Sequence, residues 1–247
     1  MLKFNDSKLI RIVVAGATIS ASGLSVAQSA ETKWDGDLEL GYVSTSGNSE
    51  TSNFKFRADA KRSSGNWLYD AHFDSLNSEE DGTRSAEKYF VSNRLTYSYT
   101  KQDYWFGYGS YEDDRFSGYD YQATVAIGIG RRLIDRGTMD WDIEFGPGYR
   151  VGKLEEETAD EKDDKDLIGR LYSKYSWQFS PNARFVQEIG VESGSDNTTS
   201  RSVTALKTDI AGGFALKLSY TVKYTEEVPA ENKHADTETA VTLVYNF

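Results

Sequence analysis

The sequence contains only two histidines, His72 and His234, and both stand close to carboxylates. The run Asp70-Ala71-His72-Phe73-Asp74 puts three titratable groups on one side of an extended chain, because alternate residues of a strand share a face. His234 lies two residues from Asp236. A histidine oriented by a carboxylate is the general acid–base apparatus of a hydrolase, and at a lumen or rim the chemistry would be lipid or peptide hydrolysis. That chemistry also needs a nucleophile or an activated water, and no nucleophile motif stands near either histidine. The sequence therefore assigns no catalytic residue, and the expectation is a non-enzyme. Cysteine is absent, so neither a disulfide framework nor thiolate chemistry is available.

A second group that could do chemistry is the acidic run from Lys153 to Asp166. It holds Glu155, Glu156, Glu157, Asp160, Glu161, Asp163, Asp164 and Asp166 against Lys153, Lys162 and Lys165. Hard cations such as calcium bind several carboxylate oxygens. The fixed ligand spacing and central glycine of a calcium loop are missing, and charge runs of this kind are usually solvated loops. The expectation is no dedicated metal site and no cofactor, with weak divalent-cation bridging to surface lipopolysaccharide as the limit of what acidic outer loops would do.

The remaining charges show a pattern. Lys55, Arg57, Asp59 and Lys61 alternate with Phe54, Phe56, Ala58 and Ala60. Asp142, Glu144 and Arg150 alternate with Trp141, Ile143, Phe145 and Tyr149. Phe214, Leu216, Leu218, Tyr220, Val222 and Tyr224 alternate with Lys217, Ser219, Thr221 and Lys223. Period two is the signature of strands with one apolar and one polar face. Asp70, His72, Asp74, Lys55, Arg57, Asp142, Glu144 and Arg150 fall on the polar face, and together they form the candidate site: a charged cluster lining the inside of whatever these strands enclose.

Twelve such strands of about ten residues can be placed between Trp34 and Phe247, a length that crosses a bilayer when tilted. The phase of the fifth, around Trp105 and Tyr108, stays ambiguous because Gly107 and Gly109 remove the contrast. Five hairpin-sized connections rich in turn formers (63–66, 101–103, 135–138, 180–182 and 212–213) alternate with six that read as longer and very polar (44–51, 77–86, 113–120, 152–166, 194–202 and 226–235). Strict short–long alternation is the order expected of an up-and-down transmembrane barrel. The fold class is thus all-β: an antiparallel up-and-down transmembrane barrel of about twelve strands, within ten to fourteen. A soluble barrel of lipocalin type would carry the same alternation with apolar side chains inside. Export, the number of strands and the aromatic residues at strand ends favour the apolar face outward.

Export is read from residues 1–30. Lys3, Lys8 and Arg11 form a basic start, Leu9–Leu24 is apolar or small apart from Arg11, and cleavage is expected after Ala27 or Ala30. The apolar stretch is too short to span a bilayer as a helix. Cleavage removes three basic residues and one acidic one, which moves the formal net charge from −11 to −13 and argues against a nucleic-acid partner. A mean hydropathy of −0.60 is compatible with a barrel, since only alternate residues of each strand meet lipid. Residues 31–247 are then the barrel domain, with both termini on the periplasmic side if the strand number is even.

The last strand carries Val241, Leu243, Tyr245 and Phe247 on its apolar face, and the chain ends on an aromatic residue. This resembles the C-terminal signal by which outer-membrane barrels are captured by their assembly machinery, through strand pairing with alternate side chains in pockets. Whole segments extend the resemblance: Gly41-Tyr42-Val43-Ser44-Thr45-Ser46-Gly47-Asn48-Ser49-Glu50-Thr51, then Arg115-Phe116-Ser117-Gly118-Tyr119-Asp120-Tyr121 leading into Gly128-Ile129-Gly130, then Phe145-Gly146-Pro147-Gly148-Tyr149-Arg150. Together they are similar to the YdiY-like family of salt-induced outer-membrane proteins, over roughly residues 34–247. The resemblance implies a barrel in the outer membrane of a Gram-negative bacterium, in contact with lipid and lipopolysaccharide, and a connection with salt or osmotic stress. It supplies neither substrate nor catalytic residues. From the residues themselves, an envelope barrel with a charged lumen is the first reading, a small-solute channel the second and a hydrolase the third.

Overall fold

The structure, a computed structural model, describes residues 34–47, 52–80, 83–114, 119–154, 164–228 and 232–247. The expected signal segment, residues 1–30, lies outside them. Twelve strands follow one another in chain order: β1 (Trp34–Ser46), β2 (Ser52–Ser64), β3 (Trp67–Glu80), β4 (Thr83–Ser98), β5 (Asp103–Asp114), β6 (Tyr119–Arg136), β7 (Met139–Leu154), β8 (Asp164–Ser180), β9 (Ala183–Ser193), β10 (Thr198–Ala211), β11 (Phe214–Thr225) and β12 (Ala235–Asn246). Every strand pairs antiparallel with its two neighbours, and β1 pairs with β12 to close the barrel. Closure removes sheet edges, so each strand's backbone polar groups are satisfied within the wall, as a lipid solvent demands.

The alternation resolves with the apolar face outward. Leu40, Phe54, Ile127, Leu167 and Ile210 are exposed on the outer surface, whereas Glu39, Glu144, Arg150 and Arg170 are buried inside. A lipocalin-type barrel would show the reverse. Aromatic pairs gather at the end where the short turns lie: Trp34 with Tyr69, Trp67 with Tyr97, Tyr99 with Trp105, Trp177 with Phe179, and Phe214 with Tyr245. Such rings sit at the interface of hydrocarbon and water.

In β5 the phase that glycines obscured is now fixed. Tyr104 and Phe106 point inward and are almost fully buried, while Trp105 is exposed outward. The two rings lie over glycines of the neighbouring strand. A Cβ on Gly130 would stand 2.2 Å from the Tyr104 ring, and one on Gly128 would stand 2.7 Å from Phe106. Gly128 and Gly130 are there because a flat ring occupies the space of their missing side chains.

One expectation about the connections is corrected. The strands run for 11 to 18 residues, longer than the ten that a membrane requires. The segment 77–86 was expected as a long loop, yet Ser78, Glu79 and Glu80 continue β3, and Thr83, Arg84, Ser85 and Ala86 already belong to β4. Only two residues separate these strands, so the short–long alternation is not strict. Backbone hydrogen bonds build the ladder whatever the side chains are, and strand lying beyond the hydrocarbon needs no apolar face. Periodicity therefore reports where lipid ends, and the hairpins continue past it.

A candidate lumen constriction

The inward faces carry closely interlocked opposite charges, arranged at three heights. Nearest the short turns, Lys207 of β10 donates to Asp37 of β1 at 3.0 Å, and Arg132 lies 4.0 Å from Asp142. In the middle, Glu144 of β7 is 1% exposed. It accepts from Arg94 of β4 at 2.9 Å, from Arg170 of β8 at 3.3 Å and from the Tyr104 hydroxyl at 3.2 Å. The Arg170 guanidinium lies 4.2 Å from the Tyr108 ring centroid and 5.1 Å from that of Tyr172, and Arg94 covers the Tyr172 ring at 4.7 Å. A buried carboxylate shared by two guanidiniums, themselves stacked on rings, satisfies the requirement that buried charge be paired and hydrogen-bonded.

On the opposite wall at this height, Glu39 accepts from Lys217 at 2.7 Å and from the Thr242 hydroxyl at 3.1 Å, with Arg57 at 3.6 Å. Arg57 also donates to Asp59 at 2.8 Å. Lys174 and the Tyr172 hydroxyl converge on Glu188 at 2.7 and 3.0 Å.

At the far end the lumen is crossed from wall to wall. Lys223 of β11 donates to Glu112 of β5. In a ring of twelve strands β11 and β5 stand six apart by either route, so the two residues face each other across the full width. Lys88 reaches the same carboxylate at 3.6 Å and Asp114 at 3.4 Å. A second diametric contact lies beside the first. Arg201 of β10 places its guanidinium 5.5 Å from the ring centroid of Phe90 on β4. Arg201 is the register partner of Lys223, and Phe90 that of Glu112. The four residues thus form one bar across the lumen.

The candidate cluster read from the sequence is distributed by the fold. Lys55, Arg57, Asp70, His72 and Asp74 share the wall of β2 and β3, and apart from the Arg57–Asp59 bond along β2 their pairings run between strands. His72 bonds through Nδ1 to Asp59 at 2.8 Å, its register partner, and its ring packs against Phe90. Asp70 instead faces Lys61 at 3.8 Å, and Asp74 faces Lys55 at 2.9 Å. Lys55 also bonds to Glu238 of β12. Asp142, Glu144 and Arg150 lie at three different heights of β7, and Arg150 donates to the Asn197 carbonyl at 2.9 Å near the far end. His234 is exposed and bonds to the Thr225 carbonyl at 3.1 Å.

In the acidic run, Asp164 and Asp166 belong to β8, while Glu155, Glu156, Glu157, Asp160, Glu161 and Asp163 lie outside the described residues. Asp166 is buried and accepts from the Ser195 hydroxyl at 2.9 Å and the Asp196 amide at 3.0 Å. It fastens the β9–β10 turn. Among the described residues no cluster of acids and histidines has the form of a metal site.

Several participants escaped the sequence reading. Lys88 and Glu238 could have been placed by extending the alternation of β4 and β12 outward. Glu112 sits on the strand whose phase the glycines obscured. Nothing in the sequence pairs Glu112 with Lys223, 111 residues away.

The last strand is held on both sides. Val241, Leu243 and Tyr245 are exposed on the outer surface. The Phe247 amide donates to the Gly36 carbonyl at 2.9 Å, and the Gly36 amide donates to the Phe247 carbonyl at 3.0 Å.

Comparison with known proteins agrees with this architecture. Residues 38–247 match the family described as "Protein of unknown function, DUF481". The uncharacterized protein YdiY of Escherichia coli (strain K12) is 30% identical over 220 residues, 89% of this chain and 85% of that one. Among solved structures, the NanC porin superposes with a TM-score of 0.58 at 8% identity, over 85% of this chain and all of its own. The translocator domain of the autotransporter NalP from Neisseria meningitidis gives 0.52 at 13% identity, over 87% of this chain and 88% of that one. The resemblance to YdiY-like proteins read from the sequence is borne out, and the solved structures share the barrel fold.

Proposed function

The chain belongs to the DUF481 family, and on that premise we propose that it is an outer-membrane barrel whose charge-lined lumen passes small solutes and is closed at rest by its own side chains. The observation that carries this reading is the Lys223–Glu112 bond between diametrically opposite strands. A wide, permanently open pore would keep opposite walls apart. An apolar core would close the lumen for good. Here closure rests on the ends of long, flexible side chains, so opening needs rotamer changes and no break in the sheet. Twelve strands also enclose more space than the eight of a barrel filled by its own side chains.

In planar bilayers the purified protein should give rare, low-conductance steps, and Glu112→Ala with Lys223→Ala should raise both their frequency and their size. Continuous large conductance in the unaltered protein would show that the bar does not close it. Silence in both proteins would favour a purely structural envelope barrel, the second reading, which the density of mid-lumen ion pairs supports.

The hydrolase reading stays third: Asp59 orients His72 through Nδ1 and also binds Arg57, but no nucleophile motif stands near this histidine. The remaining parts of the proposal rest on residues 1–30, the even strand number, the resemblance and the apolar exterior. They are export by cleavage of the first thirty residues, contact with phospholipid and lipopolysaccharide, insertion by the barrel-assembly machinery, periplasmic termini and a role under salt or osmotic stress. A deletion strain grown at high and low osmolarity tests the last of these: equal growth counts against it.

A further inference from the structure

We infer that the bar at Glu112 and Lys223 selects small zwitterions of amino-acid type, solutes carrying one ammonium and one carboxylate. This deepens the channel reading and rests on it. The bar sets one sign of charge against the other across the lumen. On one wall stand Lys223 and Arg201, adjacent in register on β11 and β10. On the other stand Glu112 and Asp114 of β5 with Lys88 and Phe90 of β4, two carboxylates around one ammonium and so a net negative charge. The side chains of Lys223 and Glu112 are 16% and 11% exposed, so neither is well hydrated when the other leaves.

Whatever passes must part these two groups, and a partly buried charge left without its partner is costly. A neutral solute leaves Lys223 without its carboxylate and Glu112 with a lysine, Lys88, that Asp114 shares. A simple anion satisfies Lys223 and leaves Glu112 with only its share of Lys88, and a simple cation satisfies Glu112 and leaves Lys223 unmatched. A zwitterion replaces both halves of the broken pair at once, with its carboxylate on Lys223 and Arg201 and its ammonium on Glu112. The Phe90 ring, which already faces a guanidinium, offers its π-face to the same ammonium.

The test is swelling of proteoliposomes holding the full barrel, with glycine, glycerol and sodium acetate as solutes of similar size. The unaltered protein should admit glycine about tenfold faster than glycerol, equivalent to about 1.4 kcal/mol, and faster than acetate. Glu112→Gln with Lys223→Met should admit all three at rates within about twofold. Glu112→Gln alone leaves the cationic wall in place, so acetate should overtake glycine. Should the double variant fail to fold, that inversion carries the test. Equal entry of glycine and glycerol through the unaltered protein would overturn the selectivity and leave the channel standing. No entry of any solute through the unaltered protein and both variants would overturn the channel, and the selectivity with it.

Discussion

Phe247 lies over Gly36. Each donates its amide to the other's carbonyl, and a Cβ on Gly36 would stand 2.4 Å from the Phe247 ring. The last residue of the chain therefore seals the seam between β12 and β1, and the glycine is the space its ring occupies. Deleting Phe247 removes two backbone hydrogen bonds, each worth about 0.5–1.5 kcal/mol. It also removes the terminal aromatic proposed for recognition by the assembly machinery. The expected outcome is a lower yield of folded barrel in outer-membrane fractions, read by heat-dependent mobility on gels. Gly36→Leu should lower stability while leaving the chain end intact. Normal insertion and stability of both variants would refute this account of the seam.

Glu144 is the keystone of the middle layer. Glu144→Gln leaves Arg94 and Arg170 sharing a neutral amide in a buried setting, and breaking such a group by removing one partner costs about 3–5 kcal/mol. The midpoint of urea unfolding in detergent or lipid should fall accordingly. Glu188→Gln, at a site where the side chain of the partner Lys174 is 37% exposed, should cost less. An equal effect of the two would mean that burial is not what makes Glu144 important.

The ring-on-glycine packing of β5 and β6 predicts a compensating pair. Gly130→Ala forces the Tyr104 ring to move and should destabilise by about 1–3 kcal/mol, the usual cost of overpacking. Combining it with Tyr104→Ala should give less than the sum of the two single effects, because the clash is then gone. Strict additivity in this double-mutant cycle would exclude the contact.

Ile127 tests which face meets lipid. It is 68% exposed on the outer surface, and an arginine facing hydrocarbon costs about 2–4 kcal/mol at the bilayer midplane. Ile127→Arg should therefore be strongly destabilising in lipid. Thr221→Arg, a substitution on the lumen face of β11, should be milder. A reversed order would point to the opposite orientation of the wall.

The hairpin of β3 and β4 and the phase of β5 mark where the sequence stopped being legible. Ser78, Glu79 and Glu80 looked like loop because the alternation fades there, yet ladder hydrogen bonds need no apolar face. In β5 two outward glycines left Tyr104, Phe106 and Glu112 without a visible side. His72 was readable as an inward histidine, but its partner Asp59 was not, since a strand's nearest partners lie on its neighbours.

By itself the sequence determined the fold class, the number of strands, most of their phases and the identity of many of the lumen charges. These are consequences of period-two patterning and of turn residues, which are local properties. Which charges meet was decided only by the closed sheet. Register and closure bring Glu112 to Lys223 and Glu144 to Arg94, residues far apart along the chain. Electrostatic partnership depends on distance in space, and that distance exists only once the twelve strands have joined into a ring.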